Sequence, residues 1–167
     1  IVVSEKGHWC LLHITHDKMI NVHECKTHFS ISSASWIQFR PGHFITGDRQ
    51  AGVIRVWNAG NDNQVESFTI SQYGVVEICS LTNGNIFCSF ADGTIIVYNM
   101  ITKKKMYKAQ APHSHMISNI SFMPTDDNIM CTVSTDGTYC FWNVQDMCIV
   151  ERFEAQGRDE SITCTDI

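Results

Sequence analysis

The sequence predicts an all-β chain assembled from a repeated unit of four antiparallel strands. Three observations carry that reading. Short runs rich in Val, Ile, Phe, Thr and Tyr alternate with clusters of Gly, Asn, Asp and Pro, and no segment sustains the i, i+3, i+4, i+7 apolar spacing of a surface helix. Three segments align with one another: "ASWIQFRPGHFITGDRQAGVIRVWNA" from Ala34, "VVEICSLTNGNIFCSFADGTIIVYNM" from Val75 and "ISNISFMPTDDNIMCTVSTDGTYCFWNV" from Ile117. The aromatics that close them, Trp57, Tyr98 and Trp142, stand 41 and 44 residues apart, a period that marks stacked structural repeats.

Each segment reads as strand, turn with Gly or Pro, strand, tight turn, and a strand ending in an aromatic followed by Asn. A further short strand follows each one, "QVESFTI", "KKMYKAQ" and "CIVERFE", which makes four. A four-stranded unit at this spacing is a propeller blade, whose two faces are covered only by its neighbours. The expected order is a partial blade at 1–33 (second, third and fourth strands), blades at 34–73, 74–115 and 116–160, and the first strand of a further blade at 161–167. A register with "HDKMINVHE" as the third strand of the opening blade leaves too few residues before Ala34 for a fourth. The chain starts at Ile1 and holds three blades with parts of two more, so the expected ring is completed by remaining blades of a longer polypeptide. The rival arrangement joins the opening three strands and the closing one into a single blade, giving a ring of four.

Composition narrows the function. A 44% hydrophobic content suits a globular core, and no apolar run approaches the ~20 residues of a membrane span. The start "IVVSEKGHWC" lacks the basic and long apolar regions of a secretory signal, so an intracellular, cytoplasmic setting is expected. A net charge of −5 with scattered basic residues gives no footprint for nucleic acid, apart from the run Lys103, Lys104 and Lys105, which reads as a solvated turn. The cysteines lie in apolar strand-like runs, as at Cys79, Cys88, Cys131, Cys140 and Cys164, and are expected to be reduced and buried.

The segment "HSHMISNISFMPTDDNIMCTVSTDGTYCFWN" resembles the repeat of the WD-repeat (WD40) β-propeller family, which commonly runs from Gly-His through a strand and turn to Asp-Gly and a closing Trp-Asp. The resemblance extends over essentially the whole chain, with Asn58, Asn99 and Asn143 in place of the family's Asp. More narrowly, "RPGHFITGDRQAGVIRVWN" followed by "FADGTIIVYNM" resembles the region ahead of the more regular blades in large multi-propeller members. In that family a structural tetrad ties a blade together, and its match here is His113, Thr132, Asp136 and Trp142. The expected geometry has the Asp136 carboxylate accepting from the imidazole, which in turn meets a hydroxyl and an indole N–H. The second blade keeps only Asp92 of this set, and the first keeps Trp57 but has the longer turn "GDRQAG" without the aligned Asp.

Asp92-Gly93 and Asp136-Gly137 are hairpin turns rather than catalytic carboxylates, since Gly accepts positive φ and Asp bonds neighbouring N–H groups. No G-x-S-x-G elbow or phosphate-cradling glycine loop leading into a helix is present, so no catalytic residue and no cofactor are assigned. His8, His13, His16, His23 and His28 interleave with Cys10 and Cys25, but no C-x-x-C pair announces zinc and His28 falls on the opposite strand face from His23 and Cys25. A metal-stabilised module therefore stands only as an alternative, beside a rim that reads lipid or RNA. The resemblance implies a non-catalytic protein-interaction scaffold, a subunit of a multi-protein complex, in the cytoplasm or at the cilium or cytoskeleton. Candidate partner contacts are the loop residues Arg49, Gln50, Tyr73, Asp126, Asp127 and Arg158.

Overall fold

The computed structural model describes the backbone of residues 2–4 and residues 6–110 and 112–155 in full. The strand expected at 161–167, with Cys164 and Arg158, lies outside the described residues. Within them the chain is all-β, with no helix and four antiparallel sheets. The opening sheet has the order β1(Val2–Ser4), β2(His8–Ile14), β3(Met19–Lys26). Blade one is β4(Ile31–Trp36), β5(His43–Asp48), β6(Gly52–Asn58), β7(Gln64–Ser71). Blade two is β8(Val75–Ser80), β9(Asn85–Phe90), β10(Thr94–Asn99), β11(Lys104–Gln110), and blade three is β12(Ile117–Met123), β13(Asp126–Ser134), β14(Thr138–Asn143), β15(Cys148–Glu154). Strand β4 begins three residues ahead of Ala34, because Ile31 pairs with Asp48 across the first hairpin.

Three apolar clusters each lie between consecutive sheets, the arrangement that makes them blades. Trp9 and Leu11 of the opening sheet pack with Ile31, Phe44 and Trp57 of blade one. Ile45, Ile54 and Val56 of blade one meet Ile78, Ile86 and Tyr98 of blade two. Phe87, Ile95 and Val97 on the other face of blade two meet Ile117, Ile120 and Trp142 of blade three. Adjacent residues of β9 and β10 thus serve opposite cores, and both strands are buried almost throughout. Continuous apolar runs, rather than alternation, are what two covered faces require. The outermost strands β3, β11 and β15 are exposed along most of their length.

Antiparallel order within each blade fixes which loops share an end. The β5–β6, β9–β10 and β13–β14 hairpins emerge with the loops between blades, and the other hairpins emerge opposite. A cavity of about 310 Å³ confirms the shared end: Arg49, Ala91 and Thr135 from the three hairpins line it together with Met116 and Glu77.

Candidate functional site

The hairpin Ser134–Thr138 organises the polar centre of blade three. Gly137 sits at φ 80°, a left-handed conformation that an L side chain rarely adopts, and its N–H reaches Ser134 O at 3.1 Å. This turn places Asp136 so that its Oδ1 accepts from the Thr138 N–H at 2.9 Å and the Thr138 hydroxyl at 2.6 Å. Its Oδ2 accepts from the N–H and hydroxyl of Ser114, at 2.6 and 2.9 Å. Burial opposes ionisation of Asp136, but these four bonds outweigh it and hold the carboxyl far below the usual carboxylate range.

His113 lies between two hydroxyls. Its Nε2 is 2.9 Å from Thr132 Oγ1 and its Nδ1 is 2.6 Å from Thr138 Oγ1, while Trp142 Nε1 donates to Thr132 Oγ1 at 2.8 Å. The acceptor end of this chain of bonds sets its direction. Asp136 only accepts, so the Thr138 hydroxyl donates to it and accepts from His113 Nδ1–H. Nδ1 therefore carries a proton. Burial favours the neutral imidazole, which leaves Nε2 to accept from the Thr132 hydroxyl, and Thr132 in turn accepts from the indole N–H of Trp142. Burial lowers the His113 pKa below 6.5; Asp136 pulls it up and Arg152 pushes it further down.

The expected direct contact between imidazole and carboxylate is corrected by this geometry. His113 Nδ1 stands 4.0 Å from Asp136 Oδ1, and Thr138 occupies the space between. The tetrad residues come together, but through a fifth member. The sequence carries a signal for it, since Thr follows Asp-Gly in both clear repeats.

Blade two keeps the turn alone. Asp92 Oδ1 accepts from the Thr94 N–H at 3.1 Å and its hydroxyl at 2.7 Å, with Gly93 at φ 78°. Registers equate Thr132 with Cys88 and Trp142 with Tyr98. Cys88 is buried, and burial drives its thiol far above the usual range. Tyr98 stacks on Phe68 of blade one at 4.8 Å.

Blade one has a third arrangement. Thr46 matches Thr132 by register and accepts from Trp57 Nε1 at 2.9 Å. Asp48, the counterpart of Ser134, accepts from Gln50 N and from Arg55 Nη1, each at 3.0 Å. The Arg55 guanidinium in turn lies 3.5 Å from the centre of the Phe29 ring. Reading the Asp position by its neighbouring Gly concealed Asp48, because the hairpin is one residue longer and the carboxylate moves into the end of β5.

The remaining candidates separate. Arg49, Gln50 and Tyr73 are exposed at the Asp-Gly end. Asp126 and Asp127 are exposed at the opposite end and belong to strand β13 rather than to a loop, with Asp126 Oδ1 accepting from the N–H and side-chain amide of Asn128. Lys103 is not simply solvated: its Nζ sits 2.7 Å from Glu66 Oε1 of blade one. His23 bonds Asp62 across the first two sheets at 3.0 Å, and His16 bonds Asp17. Among the described residues no three His, Cys, Asp or Glu side chains gather in a metal-holding group. Seven described cysteines are free; burial pushes Cys79 and Cys131 each up to about 11. Of the four expected buried thiols described, Cys79 is only partly buried.

One carboxylate that sequence reasoning passed over is Glu77, on the innermost strand of blade two. The Ser33 hydroxyl of blade one donates to its Oε1 at 2.5 Å, and the Ile78 N–H bonds it at 3.2 Å. Burial raises its pKa, and those two bonds only partly oppose the rise.

No family model matches the chain. A WD repeat-containing protein 89 homolog of Dictyostelium discoideum is 27% identical over 92 residues, which cover 55% of this chain and 25% of the relative. Guanine nucleotide-binding protein subunit beta-5b of Danio rerio is 27% identical over 124 residues, covering 69% of this chain and 30% of the relative. The chain thus spans less than a third of the length of either. Together with four-stranded blades repeating at a WD-like spacing, these relatives support a WD-repeat family for a chain whose fold is a WD40-like propeller segment.

Proposed function

We propose that this chain is the propeller part of a non-catalytic scaffold subunit in a multi-protein complex, and that partners dock on the Asp-Gly end. The observation that carries the reading is the direction of the blade-three network. Every donor and acceptor from Trp142 to Asp136 is used internally, and His113 and Asp136 have side chains only 0% and 6% exposed. This His-to-Asp array therefore fixes a blade and faces no substrate. Around it the Asp-Gly end offers Met116, 45% exposed at the 310 Å³ cavity, and Tyr73, 43% exposed.

The finer likeness to WD repeat-containing protein 17 rests on the opening repeats quoted above. An intracellular setting, cytoplasmic, ciliary or cytoskeletal, is part of the same proposal and is supported by the free, strand-embedded thiols. Cross-linking mass spectrometry on the full-length protein in cells tests the docking face. Cross-links from partners to the Asp-Gly hairpins, lost on Met116→Asp, are expected. Partner cross-links confined to the opposite end would contradict the assignment.

A further inference from the structure

A groove between the outer parts of blades one and two is basic in a chain of net charge −5. It encloses about 430 Å³, and Thr69, Ser71, Tyr73, Ile96, Lys105 and Lys108 line it. Four of the twelve basic residues, Lys103, Lys104, Lys105 and Lys108, fall within six positions. Glu66 takes up Lys103, but among the described residues no carboxylate is paired with Lys105 or Lys108.

The strand geometry places both lysines, which are exposed, on the face of β11 toward blade one. Lys105 pairs with Tyr98 and Lys108 with Ile96, two positions apart on β10 and so on one face. A bulge between Val97 and Tyr98 brings lysines three apart in sequence onto that shared face. They flank Ile96, with Tyr73 and the end of β7 as the opposite wall.

We propose that this groove docks an extended acidic peptide segment of a partner protein. Its carboxylates would meet Lys105 and Lys108, and an apolar side chain two residues further along the same face would rest on Ile96 and Tyr73. Carboxylates two residues apart on an extended chain share a face about 7 Å apart, within the span of two lysine side chains. A groove of this volume admits a few side chains, whereas a nucleic-acid backbone or a bilayer needs a broad basic face. The inference rests on the scaffold reading and adds the chemistry of one partner.

The test uses the full-length protein and fluorescence anisotropy with a labelled peptide of about ten residues, Glu at alternate positions around a central Leu, beside its Gln counterpart. The Glu peptide is expected to bind at least about tenfold tighter than the Gln peptide, and to lose about tenfold in Lys105→Glu/Lys108→Glu. Lys18→Glu serves as surface control, and an unchanged melting temperature shows that the double variant is folded. Equal binding of the two peptides, or undiminished binding to the double variant, overturns the proposal. So does groove-dependent binding only to vesicles with about 30% phosphatidylserine or to single-stranded RNA. If the Glu peptide fails to bind the unsubstituted protein while partner cross-links to the Asp-Gly hairpins persist, the acidic-peptide inference falls and the scaffold reading stands.

Discussion

In blade three the Asp-Gly-Thr hairpin ends a polar chain that runs from Trp142 through Thr132, His113 and Thr138 to Asp136. In blade two the same three residue types close only on themselves, Thr94 onto Asp92. The turn and the network are therefore separable. The turn is local chemistry that any tight hairpin rewards, whereas the network is worth keeping only when complete, since a buried donor left unmatched costs ~1–3 kcal/mol. Blade two shows the consistent alternative. Cys88 and Tyr98 replace Thr and Trp together, and stacking on Phe68 supplies apolar contact in place of hydrogen bonds. Blade one keeps the Thr46–Trp57 half and anchors its hairpin with Arg55 and Asp48.

The contrast breaks most sharply at the closing aromatic. Trp142→Ala, which empties a site 2% exposed and removes one of the two partners of the Thr132 hydroxyl, should destabilise blade three by ~3–5 kcal/mol. Tyr98→Phe should shift blade two by less than ~0.5 kcal/mol, because its hydroxyl takes no part in a comparable network. Hydrogen exchange of peptides covering 126–143 and 85–99 measures each blade separately. Arg55→Ala comes next, at about 2–3 kcal/mol in blade one. It strands Asp48, whose side chain is 7% exposed; the 16% exposure of Arg55 moderates the loss below that of a fully buried pair.

Acid should separate blades two and three in a known direction. The native His113 pKa lies below 6.5, so as pH falls through 6.5 the unfolded chain takes up a proton that the native blade refuses. Stability of blade three is then lost progressively below 6.5. Asp136 adds a second loss below 3.8, where its unfolded carboxyl protonates first. Blade two has no equivalent histidine, and the raised Glu77 pKa acts in the opposite direction, so blade two should lose no protection between pH 7 and 5.5, with intrinsic exchange rates corrected for pH. The smallest effect is expected at Glu77, whose native pKa is raised above 4.5. Stability is lost there as pH rises past 4.5, so Glu77→Gln should leave the melting temperature unchanged or higher at pH 7. Near pH 4 it should have no effect.

Much of this was legible in the sequence because the informative contacts are local or periodic. Asp-Gly beside Thr announces the hairpin, and the 41- and 44-residue spacing of Trp57, Tyr98 and Trp142 announces the blades. The relay through Thr138 was less visible, since choosing between a direct and a bridged His–Asp contact needs distances. Asp48 was hidden by a one-residue insertion that shifts its register. Contacts between blades left no trace in local pattern. Ser33 with Glu77 and Lys103 with Glu66 join residues 44 and 37 positions apart, and only the stacking of sheets brings them together. The shared face of Lys105 and Lys108 depends on a bulge that the run of lysines does not reveal.

The central claim is that Asp136 is the structural terminus of a blade-wide network while Asp92 caps a turn. Hydrogen exchange on the full-length protein carrying Asp136→Asn or Asp92→Asn tests it most directly, read beside partner cross-linking at 25 °C. The account predicts that Asp136→Asn lowers the opening free energy of blade three by about 2–3 kcal/mol, that Asp92→Asn costs blade two about 1 kcal/mol or less, and that partner cross-links persist in both. Equal losses in the two blades would contradict it. So would intact protection of blade three together with lost partner binding, which would make Asp136 a functional rather than a structural carboxylate.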